Sequence, residues 1–84
     1  MYNVLTTSRA ERELKRLDRP TKNRVVTAAL ALGDNPRPHG CLKVKTEEKL
    51  WRIRVGDWRI GYEIDDEARI VTIITVSHRR EFYD

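Results

Sequence analysis

Cysteine is almost missing from this chain. Cys41 stands alone among 84 residues, which excludes an intramolecular disulfide and a cysteine-based zinc site. Long apolar runs are missing too. The longest is Ala28 to Leu32, five residues, where a membrane-spanning helix needs about 20. The N-terminus, Met1-Tyr2-Asn3-Val4-Leu5, has no basic stretch followed by an apolar one, so no secretory signal is expected. Together these absences point to a cytoplasmic protein with no membrane partner. The four glycines are dispersed and form no phosphate-cradling loop. The two histidines, His39 and His78, are far apart and lack the spacing of a metal site. No serine or cysteine has a base and an orienting group near it in sequence, so no metal or other cofactor is expected.

What the chain has is positive charge. Lysine and arginine total 17 against 13 acidic residues, a net of +4, and arginine outnumbers lysine 12 to 5. The planar arginine fork suits phosphate better than the point charge of lysine. A small basic domain of this kind points to a polyanionic partner, nucleic acid first. The length allows one domain over residues 1–84.

Tyr2 to Thr6 reads as a short strand. Ser8-Arg9-Ala10-Glu11 reads as a capping box, with the Ser8 hydroxyl starting a helix. Ala10, Leu14 and Leu17 then give the apolar stripe of an amphipathic helix. Pro20 suits the first turn of a second helix, and Val25, Val26, Ala28, Ala29, Leu30 and Leu32 give it a wide apolar face. Gly33 is expected to stop that helix, and residues 34–40 read as a loop.

The period then changes. Trp51, Ile53 and Val55 alternate with Arg52 and Arg54; Gly56-Asp57 is a two-residue turn signal; Trp58, Ile60, Tyr62 and Ile64 alternate again. Asp65 to Ala68 reads as a second turn. Ile70 to Val76 is apolar on both parities and reads as a central strand covered on both faces. The expected fold class is α+β: an N-terminal strand, a helical hairpin, then an antiparallel meander (β-α-α-β-β-β), with room for one extra short strand over residues 41–45.

This alternation has a chemical consequence. A turn at 56–57 pairs 55 with 58, 54 with 59 and 52 with 61, which puts Arg52, Arg54 and Arg59 on one face, with Arg54 directly opposite Arg59. Like charges facing across strands are destabilising, and an anionic ligand would relieve them. The competing reading is a solvated face neutralised by Glu63 or Asp57. Parity on the last strand groups Arg79 with Val71, Ile73 and Thr75, and puts His78 on the other side. His78 titrates near neutral pH and could carry a proton, or be a plain surface histidine. Tyr83 fits a core, base-stacking or acid–base role; Phe82, Trp51 and Trp58 read as core. Lys43, Lys45 and Arg80 complete the set of cations taken as substrate-binding candidates.

The segment Leu50-Trp51-Arg52-Ile53-Arg54-Val55-Gly56-Asp57-Trp58-Arg59-Ile60-Gly61-Tyr62-Glu63-Ile64, followed by His78-Arg79-Arg80-Glu81-Phe82-Tyr83, resembles the RelE/ParE toxin superfamily. The strand and helical hairpin before it match as well, so the likeness covers nearly the whole chain. It implies a RelE-like fold and the toxin of a type II toxin–antitoxin system. On the RelE-like branch it implies a ribosome-dependent, metal-free endoribonuclease that cuts mRNA in the ribosomal A site by attack of a 2′-hydroxyl. There Arg52 and Arg54 stand where relatives often carry lysine and would hold the mRNA backbone. Arg59 would stabilise the transition-state phosphorane and Arg79 the leaving 5′ oxygen. Tyr83, or His78, would take the proton, because guanidinium cannot. The implied partners are a cognate RelB-like antitoxin, ribosomal RNA and mRNA, with operator DNA reached only through the antitoxin complex. Two alternatives come from the same resemblance: a ParE-like inhibitor of DNA gyrase, and a catalytically inactive corepressor.

Overall fold

The computed structural model describes residues 1–82; Tyr83 and Asp84 lie outside the described residues. The element order is β1 (Asn3–Thr6), α1 (Ser8–Lys15), α2 (Arg19–Ala31), β2 (Leu42–Lys43), β3 (Trp51–Val55), β4 (Trp58–Asp65) and β5 (Ile70–His78). These make the expected α+β arrangement, and the extra short strand is β2.

The cap of helix α1 lies one residue before the expected one. Thr7, not Ser8, has the extended cap backbone, and its side chain accepts from the Ala10 N–H. Its hydroxyl also lies 3.0 Å from the Ile74 carbonyl on β5, an anchor that Ser8 at the next position does not have. Asp18 caps α2 by accepting from the Thr21 N–H, and the Thr21 side chain, followed by that backbone bond, holds its carboxyl below the ordinary range; Pro20 sits in the first turn as expected. Gly33 ends the helix for a different reason from a left-handed cap. A Cβ there would come within 2.9 Å of the Tyr2 carbonyl oxygen, because β1 passes directly beside it.

The sheet order is β1-β5-β4-β3-β2. The β3-β4-β5 meander is antiparallel, while β1 pairs parallel with β5, so the sheet is mixed. A parallel pair needs a long crossover, and the helical hairpin supplies it. Ala10, Val25 and Leu32 from the helices meet Ile53, Ile60, Tyr62, Val71, Ile73 and Val76 from the sheet. Burying each of these large side chains contributes about 1.5–3 kcal/mol. Trp51 and Trp58 flank this core, half-buried, whereas Leu30 is 62% exposed and lies off the apolar face expected of α2. Tyr62 is buried, its hydroxyl donating to the Pro36 carbonyl at 2.7 Å, and burial pushes its phenol pKa up.

Strand β5 contains a bulge. Tyr62 pairs with Ile73 but Gly61 pairs with Thr75, so Ile74 is an extra residue. Before the bulge, Val71 and Ile73 face the helices; after it, Val76 does. The strand is apolar on both parities because its phase shifts halfway. Its other face carries Thr72, Thr75 and Ser77 and has no helical layer.

Candidate active site

The hairpin register is the expected one. Val55 pairs with Trp58, Arg54 with Arg59 and Arg52 with Gly61. These three arginines therefore share the sheet face away from the helices. Their exposure differs. Arg54 is exposed and Arg59 half-buried, whereas Arg52 is only 1% exposed. Gly61, opposite Arg52, leaves room for this enclosure. A Cβ on it would lie 2.8 Å from Thr75 Cγ2 and 3.1 Å from the Phe82 ring, so Phe82 sits down on the sheet at the one position without a side chain. Arg59 folds back over the hairpin turn, its Nη1 donating to the Gly56 and Trp58 carbonyls at 3.2 and 3.1 Å.

The bulge puts Thr75 and Ser77 on the arginine side, not with Val71 and Ile73 as simple parity implied. Arg79 follows in the turn after β5, beside the hairpin turn. Ser77 pairs directly with Arg59. Arg79 donates its backbone N–H to the Asp57 carbonyl at 2.7 Å, and its Nε lies 3.8 Å from Asp57 Oδ1. The turn carboxylate thus engages Arg79, while Glu63 sits farther down the sheet opposite Thr72.

His78 goes to the helix side, with Trp58. The two rings meet edge to face at 5.4 Å, and His78 Nδ1 accepts from the Arg80 N–H at 3.3 Å. It is not part of the arginine face. Lys43 lies over the Trp51 ring at 5.6 Å, Lys45 is exposed on the following loop, and Arg80 is exposed in the turn after β5. Tyr83 lies outside the described residues. The arrangement brings together Arg54, Arg59 and Arg79, with Arg52 beneath, and leaves His78 and the lysines apart. Among the described residues, no three His, Cys, Asp or Glu side chains are gathered as a metal ion would need. Guanidinium forks at one end of an open sheet can hold phosphate oxygens by paired charge-assisted hydrogen bonds.

Two groupings escaped the sequence reading. One is a surface clamp. Asp66 accepts from Tyr2 Oη at 2.6 Å and from both Arg37 Nη atoms at 3.2 and 3.0 Å, and Arg37 stacks on Trp51 at 5.2 Å. Arg37 and Tyr2 together hold the Asp66 carboxyl down to about 2. The other is a polar chain at the end of β5. Glu13 of α1 accepts from Thr75 Oγ1 at 3.0 Å and from the Val76 N–H at 2.8 Å; Thr75 and Ser77 hydroxyls lie 2.8 Å apart. The alternation of Thr75 and Ser77 around Val76 was its only trace in the sequence.

A family model described as the ParE toxin of type II toxin–antitoxin systems, parDE, matches residues 4–83. No curated protein matches the chain. Among solved structures, a chain of the toxin–antitoxin complex RelBE2 from Mycobacterium tuberculosis superposes with a TM-score of 0.83 at 32% identity, covering 93% of this chain and 98% of that one. A chain of the archaeal RelE–RelB complex from Pyrococcus horikoshii gives 0.82 at 21% identity, over 96% and 98%. A chain of the intact E. coli RelBE complex gives 0.80 at 20%, over 93% and 96%.

Proposed function

This chain belongs to the ParE toxin family of type II toxin–antitoxin systems, within the RelE/ParE superfamily, and from that premise we propose that it is a ribosome-dependent, metal-free endoribonuclease. The observation that carries this reading is the facing pair Arg54 and Arg59, with Arg79 at the same end of the sheet. Guanidinium forks facing one another across two strands can hold the oxygens of one phosphodiester by paired charge-assisted hydrogen bonds.

The reaction is transesterification. The 2′-oxygen of the mRNA attacks the adjacent phosphorus, the P–O5′ bond breaks, and a 2′,3′-cyclic phosphate remains. Arg59 stabilises charge on the phosphorane oxygens and Arg79 the departing 5′ oxygen. Such preorganised positive charge, with little water to screen it, is commonly worth a few kcal/mol per donor. Arg54 holds the backbone beside the cut. Arg52, enclosed below, adds to the field. Lys43, Lys45 and Arg80 reach the more distant RNA, and Tyr83 is a candidate acid–base group at the end of the chain. The ribosome completes the site by fixing the mRNA in the in-line geometry, which is worth far more than any single contact.

The partner that silences the protein is a cognate RelB-like antitoxin, as in the complexes whose chains it resembles. Operator DNA is reached through that complex. The toxin offers two surfaces. One is the basic face, which fits an acidic segment. The other is a groove of about 690 Å³ lined by the apolar Ala28, Ala31, Leu32, Leu42 and Ile53, and also by Arg52 and Arg54, so it adjoins the basic face. It runs beside the outer edge of β3, which β2 covers only at Trp51 and Arg52. An extended segment can add there as a strand with apolar side chains in the groove.

The test is primer extension on a defined mRNA in a purified translation reaction. Codon-phased cuts that need ribosomes and vanish in Arg59→Ala and Arg79→Ala are expected. Growth arrest without any cut would refute the reading. It would favour inhibition of DNA gyrase, the second reading that the ParE family model keeps in view, and a supercoiling assay would decide it. Operator binding without growth arrest would instead mark a corepressor.

A further inference from the structure

Arginine cannot accept the proton that the attacking 2′-hydroxyl must lose, and His78 lies on the opposite side of the sheet. A carboxylate is nevertheless connected to the arginine face. Glu13 reaches from α1 to the edge of β5 just past the bulge. Thr75 Oγ1 lies 3.0 and 3.3 Å from its two oxygens, and Ser77 Oγ lies 2.8 Å from Thr75 Oγ1. Ser77 is the cross-strand partner of Arg59.

The direction of these hydrogen bonds is fixed by counting protons. A carboxylate only accepts, so Thr75 spends its single hydroxyl proton on Glu13. Ser77 must then donate to Thr75, and its remaining lone pairs can only accept. Both hydroxyl residues are buried, at 6% and 7% exposure, so water does not scramble this order.

We propose that Glu13 is the terminal proton acceptor of the cleavage, reached through Thr75 from Ser77. The inference rests on the endoribonuclease reading above. Ser77 is 7% exposed in the free chain, so the bound RNA first displaces what covers it; Ser77 Oγ then takes the proton of the 2′-hydroxyl as O2′ bonds to phosphorus. Ser77 passes its own proton to Thr75, and Thr75 passes its proton to a Glu13 oxygen. The P–O5′ bond breaks, and O5′ takes a proton from water. Glu13, with 23% of its side chain exposed and Arg9 3.4 Å away, then returns its proton to solvent on the far flank of the sheet. The Thr75 and Ser77 hydroxyls, each left with its proton on the opposite side, then rotate about their C–O bonds to restore the order of the chain.

The test is single-turnover cleavage on programmed ribosomes by wild type, Glu13→Gln, Thr75→Val, Ser77→Ala and Ser77→Thr. Glu13→Gln keeps an acceptor for the Val76 N–H, and urea unfolding checks that each variant folds. Losing a general base costs about 10²–10⁴-fold in rate. Losses of that size are expected in Glu13→Gln, Thr75→Val and Ser77→Ala, with the toxin concentration for half-maximal rate unchanged. Ser77→Thr keeps a hydroxyl and should stay within about tenfold of wild type on the same basis. The double variant Glu13→Gln/Ser77→Ala should be no slower than either single one, because the chain acts as a unit. A Glu13→Gln protein that folds and cleaves at the wild-type rate would overturn the relay, as would losses that multiply in the double variant. If wild type itself makes no cut, the endoribonuclease reading falls and the relay with it.

Discussion

The contact between Gly61, Thr75 and Phe82 gives the sharpest test of the packing beneath the site. In Gly61→Ala the new methyl would lie 2.8 Å from Thr75 Cγ2, 3.1 Å from Phe82 Cε2 and 3.4 Å from Leu50 Cδ1. Phe82 can lift, but Thr75 cannot turn away freely. Its hydroxyl is bonded to Glu13 and Ser77, and rotation about χ1 would break both bonds. Overpacking of this kind costs about 1–3 kcal/mol. Replacing a strand glycine with alanine returns roughly 0.5–1 kcal/mol of backbone entropy. The net is a loss of about 0.5–2 kcal/mol. At about 4–8 °C per kcal/mol for a domain this size, Tm should fall by about 2–16 °C. Thr75→Ser removes the offending Cγ2 and keeps the hydroxyl, so Gly61→Ala/Thr75→Ser should regain most of that loss. Thermal melts followed by circular dichroism read all of this. A Gly61→Ala protein as stable as wild type, or a double variant that melts below Gly61→Ala, would refute the reasoning.

Arg54→Gln removes the repulsion across from Arg59. It should raise stability by about 0.2–1 kcal/mol in low-salt urea titrations and slow cleavage; an unchanged urea midpoint would mean the pair does not repel. Thr7→Ala removes the α1 cap and its tie to the Ile74 carbonyl, costing about 1–2 kcal/mol in the same titrations. Asp66 titrates at about 2 when folded against 3.8 ordinarily. Its contribution is therefore present above about pH 4 and lost as pH falls toward 2, so the stability gap between wild type and Asp66→Asn should close over that window. Ala31→Arg places a charge in the groove beside β3. It should weaken capture by the antitoxin at least about tenfold, equivalent to about 1.4 kcal/mol, with ribosome-dependent cleavage intact.

The 51–64 hairpin was legible from the chain down to single residue pairs. Strict alternation around a two-residue turn leaves one register that buries Ile53 and Ile60 together. Helix α2 was plain at its start from Pro20, which signals a first helical turn, although Asp18 as its cap was not read from the chain. The start of α1 was not, because Thr6-Thr7-Ser8 offers consecutive hydroxyls and only the Ile73 and Ile74 carbonyls on β5 choose Thr7. The parallel pairing of β1 with β5 is a long-range contact that no local pattern encodes. The enclosure of Arg52 was hidden for a related reason. Its β3 neighbours alternate as a solvent-facing strand would, and nothing local marks that the residue opposite it, Gly61, lies under Phe82. Glu13 carried no signal in the sequence because its partners lie more than 60 residues away.

The extra residue at Ile74 makes the end of β5 behave like a reading frame. Upstream of it, odd-numbered side chains are committed to the core; downstream, odd-numbered ones are released to the arginine face. A one-residue deletion at Ile74 would close the bulge and leave Thr75, Ser77 and His78 on the faces they now occupy. Only their numbering parity against Val71 and Ile73 would change. Chains of this architecture are therefore best aligned at the end of β5 by counting back from the residues that pair with β4, with the gap of one residue placed at the bulge.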